Sequence, residues 1–154
     1  MLPNPLDSRL RDLNLQESVI SDYQILCLPE NFFSGEIDEL YDASHAILLS
    51  KMLKQKGVKC ANSYDLGFES EVYIRQSGDL YLGLVYILEE LAIPFFVSVL
   101  AALVVQKINS DEDRLEEKNS SNVNIDLYLP KDKHLKYTGD SETLLEILRN
   151  LKGD

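Results

Sequence analysis

The longest apolar segment of the chain runs from residue 80 to residue 108 and dominates the pattern of hydrophobic and polar positions. Its first part carries leucine and isoleucine at helical spacing, at Leu80, Leu84, Ile87, Leu88 and Leu91. Asp79 precedes it and can accept the unpaired backbone N–H groups of a helix start. Pro94 interrupts the segment because proline lacks an N–H and its ring displaces the preceding turn. The pattern predicts a long apolar helix kinked at Pro94, or two helices in series with Pro94 in the first turn of the second.

Residues 91–105 are apolar on every side of a helix, with Ser98 as the one polar side chain. Such a helix is either buried or in contact with lipid. At about 1.5 Å per residue it spans roughly 22 Å, short of the about 30 Å core of a bilayer. We interpret 91–105 as a core helix; membrane insertion and a surface covered by a partner are the alternatives. Glu89, Glu90 and Pro94 lie at the bend and are candidate interaction residues.

Residues 23–28 and 58–64 have the composition of short buried strands. Between them, 36–56 has a helical pattern with acidic residues early and lysines late, an order that complements the helix dipole. Gly57 suits the left-handed position that ends a helix. Strand, helix and strand predict a βαβ unit with parallel strands and a right-handed crossover. A third short strand is expected at 71–75.

The C-terminal third begins with strict alternation of apolar and polar positions, which predicts a strand with one wet face. Its apolar positions are Val123, Ile125, Leu127 and Leu129. A turn, a second strand around Leu135 and Tyr137, and a final helix capped by Asp140 or Ser141 follow, so we expect a ββα element. Ile125 and Leu127 are candidate interaction residues, because an exposed edge at 123–129 would accept an added strand.

These elements predict an α/β fold in one compact domain, with an N-terminal βαβ-like unit, a long kinked apolar helix and a C-terminal ββα element. Residues 1–22 are expected to be an N-terminal tail and 23–108 the α/β core. A mobile polar linker at 109–122 would then lead to the ββα element at 123–154.

The chain is acidic, with 26 Asp and Glu against 15 Lys and Arg and a formal net charge of −11. An acidic surface repels phosphate, which disfavours nucleic acid as a partner. The two cysteines, Cys27 and Cys60, stand in apolar contexts and favour a reducing compartment over a disulfide framework. The start of the chain lacks the apolar run of a signal peptide. We therefore expect a cytoplasmic protein.

The sequence contains none of the common nucleotide-binding, zinc-protease or serine-hydrolase motifs. His45, one helical turn after Asp42, could form an Asp–His pair, but no nucleophile is identifiable and a structural role is favoured. We assign no catalytic, cofactor-binding or metal-ligating residue and predict no cofactor. Whether the protein is an enzyme stays open, and we prefer a non-enzymatic protein.

The layout of residues 78–151 resembles small bacterial proteins encoded beside effector enzymes in defence or conflict systems. The shared pattern is an apolar helix, a variable linker, two strands ending near Gly-Asp or Gly-Pro, and a short helix. It contains no invariant motif, excludes the N-terminal half and carries over no functional residue. The resemblance implies an adaptor or regulatory subunit.

The expected function is a protein-interaction or regulatory subunit, with another protein or a second copy of the chain as partner. One alternative is a membrane-acting effector that inserts the 80–108 helix. A second alternative is a small nucleotide or metabolite sensor, with its ligand near 29–35 and 64–67, at the ends of the parallel strands.

Overall fold

The computed structural model of the protein describes residues 4–13, 17–34, 39–73, 79–111, 122–131 and 133–151. Their helices are α1 (Asn4–Asp12), α2 (Glu17–Ile20), α3 (Ala46–Gln55), α4 (Ser63–Leu66), α5 (Ile93–Asp111) and α6 (Ser141–Leu151). The strands are β1 (Ile25–Leu28), β2 (Tyr41–Ala43), β3 (Cys60–Ala61), β4 (Glu71–Tyr73), β5 (Leu80–Ile87), β6 (Asn122–Leu129) and β7 (Lys133–Asp140). A 3-10 turn, Glu90–Ala92, precedes α5.

Five strands form the main sheet in the order β3-β1-β5-β6-β7, and β2 and β4 form a separate parallel pair. Within the main sheet β3 is parallel to β1 and β6 is parallel to β5. The β1–β5 and β6–β7 pairs are antiparallel, so the sheet is mixed. β6 is an inner strand because β7 pairs along its outer side, so the edge at 123–129 considered for strand addition is covered.

Each face of the main sheet carries its own core. One core holds alternate residues of β1, β5 and β6 together with the inward sides of α3, α5 and α6. The other holds the intervening residues of β1 and β5 with Leu6, Leu10, Ile20 and Phe32. The N-terminal segment thus contributes buried side chains to the second core, although the sequence predicts a tail there.

The predicted parallel pairing of the two N-terminal strands is confirmed, with Ile25 opposite Cys60. The helix between them is shorter than predicted, because 41–43 form strand β2 and α3 begins only at Ala46. β2 pairs with β4 in register, from Tyr41 opposite Glu71 onward. Pairing with a distant strand has therefore overridden the local helical pattern.

The prediction of a helix over the first part of 80–108 is wrong, because Leu80–Ile87 is the central strand β5. β5 is apolar on both faces, as a strand covered by helices on both sides must be. Its register shifts at Gly83, where β5 advances two residues while β6 advances one. Gly83 has φ +76° there, a conformation that glycine adopts without strain. The extra residue shifts the alternation by one position, so that Leu80, Leu82, Val85 and Ile87 face the helices while Leu84 and Tyr86 enter the other core.

The kinked helix is likewise corrected to a strand, a 3-10 turn and one helix, α5, with Pro94 in its first turn. Proline is tolerated there, since the N–H it lacks has no intrahelical partner at that position. Among the described residues no helix is long and apolar enough to cross a membrane. The 80–108 segment of the membrane-acting alternative is thus strand β5 followed by helix α5.

The predicted ββα element is present as β6, β7 and α6. Asp140 caps α6 as predicted, since its carboxylate accepts the backbone N–H of Thr143 at 3.0 Å and the Thr143 hydroxyl at 2.9 Å. Most of the predicted linker at 109–122 lies outside the described residues; α5 extends to Asp111 and β6 begins at Asn122.

Candidate functional site

The outward side of α5 carries an apolar row on the surface of the protein. Leu91, in the 3-10 turn, is 79% exposed, Phe95 is 50% exposed and Val105 is 56% exposed. Ser98 and Ala102, which lie between them, are exposed as well. Successive members are four, three, four and three residues apart, the spacing of a single stripe along a helix. We call these five residues the α5 stripe.

The opposite side of α5 faces the sheet. Its core residues are Phe96, Val97, Val99, Leu100, Leu103 and Val104. A helix with one side on a sheet can bury only that side and its shoulders. Because the segment is apolar all round, the rest of its apolar surface meets water. The core interpretation of 91–105 therefore holds for half of the helix, and the α5 stripe has the exposure expected of a partner-covered surface.

Two helices of unlike charge flank α5. α3 packs on β1, β3 and β5, and α6 packs on β6 and β7, so they contact α5 from opposite sides. The charged residues of α3 are Lys51 and Lys54, both exposed. α6 carries Glu142, Glu146 and Arg149, also exposed. The helical layer therefore has a basic flank, an apolar centre and a more acidic flank.

The predicted interaction residues Glu89, Glu90 and Pro94 are exposed at the N-terminal end of the α5 stripe. Glu90 Oε2 lies 2.9 Å from Lys131 Nζ, which ties this end of α5 to the β6–β7 turn. Glu89 Oε1 accepts a hydrogen bond from Gln24 Nε2 at 3.1 Å. These residues border the stripe next to Leu91 and Phe95.

The other two predicted interaction residues, Ile125 and Leu127, lie in the core beneath the helical layer. Ile125 is 4% exposed and Leu127 is fully buried. The placement follows from the alternation of β6, whose apolar side faces α5 and α6 while its polar side faces away. Their side chains stabilise the fold and are not accessible for docking in this structure.

The sequence predictions missed Leu91, Phe95, Ser98, Ala102 and Val105 as a group. The signal was nonetheless present, since a four-three repeat with its smallest residues at the centre can be found by counting. It was masked because every other position of 91–105 is apolar too. Knowing which side faces the sheet requires the tertiary structure.

A polar cleft of about 320 Å³ lies on the other face of the sheet, over the β6–β7 hairpin. Its polar lining includes Glu30, Asn124, Asp126, Lys136 and Thr138. Two carboxylates face one lysine, a balance that disfavours phosphate groups. The cleft therefore does not favour the nucleotide version of the sensor hypothesis.

An aromatic column crosses three strands beside this cleft. The rings of Tyr86 and Tyr128 stack at 5.0 Å, and those of Tyr128 and His134 stack at 4.1 Å. Asp126 pairs with Nε2 of His134. Partial burial, and then the charge of Asp126, raise the pKa of Tyr128. The column joins residues directly opposite each other in register, as expected for stabilising cross-strand pairs.

Asp42 and His45, considered above as an Asp–His pair with a structural role favoured, make hydrogen bonds that connect different elements of the fold. The buried Asp42 carboxylate accepts hydrogen bonds from the hydroxyls of Ser63 at 2.6 Å and Ser70 at 2.8 Å. His45 Nδ1 accepts the backbone N–H of Tyr81 at 3.0 Å, while the backbone N–H of His45 donates to the carbonyl of Tyr81. These bonds join β2 to α4 and the start of α3 to β5, which fits structural roles.

The two cysteines are buried, with Sγ atoms 3.7 Å apart on the adjacent strands β1 and β3. The hydrogen bond with Cys60, together with burial, raises the pKa of the Cys27 thiol well above its ordinary value. A raised pKa keeps the thiol protonated, whereas nucleophilic cysteines need the thiolate. The pair therefore fits the predicted role of small core residues.

Across the described ranges, no group of three or more His, Cys, Asp or Glu residues is placed to hold a metal ion. No family model, curated protein or solved structure matches this chain. The surface and cleft described above are therefore the basis for assigning a function.

Proposed function

We propose that this protein is a non-enzymatic interaction subunit that docks another polypeptide on the α5 stripe. The observation that carries the proposal is the exposure of Leu91, Phe95 and Val105 in one row. Single exposed apolar residues are common on soluble proteins, but a contiguous row is typical of an interaction surface. A row at four-three spacing fits an amphipathic helix laid alongside it.

The α5 stripe lies on a helix whose other side is packed in the core. The residues between its members, Phe96, Val99 and Leu103, are at most 1% exposed and pack in the core. A partner would therefore meet a preformed surface, which lowers the conformational entropy lost on binding. The small side chains of Ser98 and Ala102 leave room at the centre of the row for a partner's backbone or larger side chains.

Site-specific photocross-linking in the native host tests the proposal. A benzophenone amino acid at position 95 is expected to give discrete protein adducts of higher mass. The same group at position 64 is the matched control, because Tyr64 is also aromatic and is 75% exposed, but lies on α4. Adducts absent at position 95, or equal at both positions, would contradict a docking role for the stripe.

The layout resemblance of residues 78–151 supports placing this subunit in a bacterial defence complex, and the cysteine content supports a cytoplasmic setting. The identity of the protein cross-linked at position 95 tests the first of these. A metabolite sensor that uses the polar cleft stays an untested alternative.

A further inference from the structure

We infer that the partner on the α5 stripe is a second copy of this chain, with the two α5 helices parallel about a two-fold axis that runs along them. The inference rests on the proposed function and names the occupant of that surface. It is argued from the spacing of the stripe, the sizes of its residues and the charges of the helices beside it.

The stripe is suited to pairing with itself. A two-fold axis along α5 places each residue of the stripe opposite its own copy, as in a parallel two-stranded coiled coil. From Leu91 to Val105 the stripe covers 14 steps of about 1.5 Å, or roughly 21 Å, and its five residues give two layers on either side of Ser98. Ser98 and Ala102 at its centre let the two helices approach closely.

The burial that results is sufficient for a reversible dimer. Leu91, Phe95 and Val105 are each at least half exposed, and a dimer covers six such side chains. These side chains are already partly buried in the monomer, so the apolar area that dimerisation covers is small beside the entropy lost on association. We therefore expect a weak dimer that dissociates at roughly high micromolar to millimolar concentrations.

The flanking charges select the parallel arrangement. A two-fold axis along α5 lays α3 of one copy over α6 of the other, so that Lys51 faces a flank that carries Glu142 and Glu146. Lys54, the other lysine of α3, is already paired with Asp65 of α4 at 2.6 Å. An axis across α5 would make the helices antiparallel and lay α3 over α3, with Lys51 on the same side as its own copy. Both arrangements bury the same stripe, and charge complementarity therefore decides between them.

The acidic residues beside the stripe itself are Glu89 and Glu90, and Glu90 is paired with Lys131 at 2.9 Å, so most of the net charge of −11 lies away from this contact. α3 has two lysines and no acidic residue, and α6 has two glutamates and one arginine. These two flanks together are close to neutral. Screening over about 8 Å at physiological salt further weakens repulsion between the more distant acidic regions.

Sedimentation of the purified full chain over a wide concentration range tests the inference. A monomer–dimer equilibrium is expected, and Phe95→Arg should leave only monomer, while the matched control Tyr64→Arg should dimerise normally. Melting curves show whether each variant is folded, and Ser98→Arg provides a second disruption of the stripe. A monomer at every concentration, or a dimer that survives both stripe variants, would overturn the inference.

A charge exchange tests the orientation. Lys51→Glu and Glu146→Lys should each weaken the dimer about two- to tenfold, given the modest energies of exposed ion pairs acting twice across a two-fold interface. The double variant should recover most of the loss, because the two flanks again carry opposite charge. A double variant as weak as the sum of the single ones would overturn the parallel arrangement.

Photocross-linking at position 95 and sedimentation together separate the inference from the proposed function. Adducts between position 95 and a different protein, combined with a monomeric purified chain, would retain the docking role and overturn the second copy as its occupant. Absence of adducts at position 95 would count against both.

Discussion

Strand β5 and helix α5 are adjacent in the sequence and similarly apolar, yet they meet their surroundings differently. β5 lies at the centre of the main sheet, and its residues enter the cores on both faces. α5 contributes one side to a single core and turns the α5 stripe to the surface. A continuous apolar run is compatible with full burial and with half burial, and the difference depends on what covers the element.

The contrast shows which part of an apolar segment is available to bind a partner. A central strand shares both faces and both edges with other elements, so it has no surface left for a partner. A helix lying on a sheet always keeps an outer side, and if that side is apolar it requires an explanation. The surface of α5 is thus the place to look for function, although β5 is equally hydrophobic.

The largest effect is expected from charges placed on either face of β5. Leu84 and Val85 are neighbours that point to opposite cores and are at most 2% exposed. Leu84→Asp and Val85→Asp should each cost on the order of 4 kcal/mol or more, because each buries an unpaired carboxylate. Circular dichroism and urea unfolding would then show little folded protein for both variants.

The matched control for β5 is Thr138→Asp in the edge strand β7, where residue 138 is exposed on the open side of the hairpin. This variant should unfold close to the wild-type urea concentration. If either β5 variant behaved like Thr138→Asp, one face of β5 would be uncovered and the contrast with α5 would fail.

A smaller, one-sided effect is expected from α5. Val99 is fully buried, whereas Ala102, three residues later, is exposed on the stripe. Val99→Asp should cost on the order of 4 kcal/mol, and Ala102→Asp about 1 kcal/mol or less in the monomer. Urea unfolding at two protein concentrations separates stability from association. Equal losses at both positions would mean that α5 is buried all round.

The sequence alone predicts much of this architecture wherever a local pattern has one interpretation. The alternation of β6 identifies a strand with one wet side, and the parallel pairing of β1 with β3 follows from a strand–helix–strand order. β5 could not be identified this way. Its burial on both faces removes the contrast between apolar and polar positions, and the register shift at Gly83 moves the alternation by one residue, so no period of two is visible.

Two Gly-Asp pairs show that a helix start is identified by its capping residue together with a polar partner three residues later. Asp79 follows Gly78 and precedes a strand, whereas Asp140 follows Gly139 and starts a helix. Asp140 has a partner at Thr143, which supplies both an N–H and a hydroxyl. The residue three positions after Asp79 is a leucine, whose side chain cannot return such a bond. A helix cap can be predicted from the sequence when the capping residue and its partner three positions later are both required.

The candidate site was predictable only in part. The stripe is bordered by Glu89, Glu90 and Pro94. These residues were selected from the sequence only because they lie at the predicted bend. Ile125 and Leu127 were misplaced because α5 and α6 cover the side of β6 that carries them, and the alternation of β6 does not show what lies over its apolar side. Tertiary pairing decides which apolar residues remain outside, and no local periodicity contains that information.

The smallest effect is expected at Asp140, where α6 begins on a side-chain cap, whereas Glu89, the N-cap of the 3-10 turn before α5, makes no such bond. Hydrogen bonds from the Thr143 backbone N–H, and then from its hydroxyl, lower the pKa of Asp140 below its ordinary value of 3.8. The ionised form is therefore favoured in the folded state. Its contribution to stability is complete above the ordinary pKa and is lost as the pH falls through the lowered one.

Asp140→Ala should accordingly lower the urea midpoint slightly at pH 7, by less than either α5 variant, and its difference from wild type should shrink as the pH falls below about 4. Asp140→Asn is the matched control, because asparagine caps helices about as well but does not titrate there. Its difference from wild type should be small at pH 7. A pH-independent deficit for Asp140→Ala would show that the hydrogen bonds of the cap stabilise α6 without a contribution from the carboxylate charge.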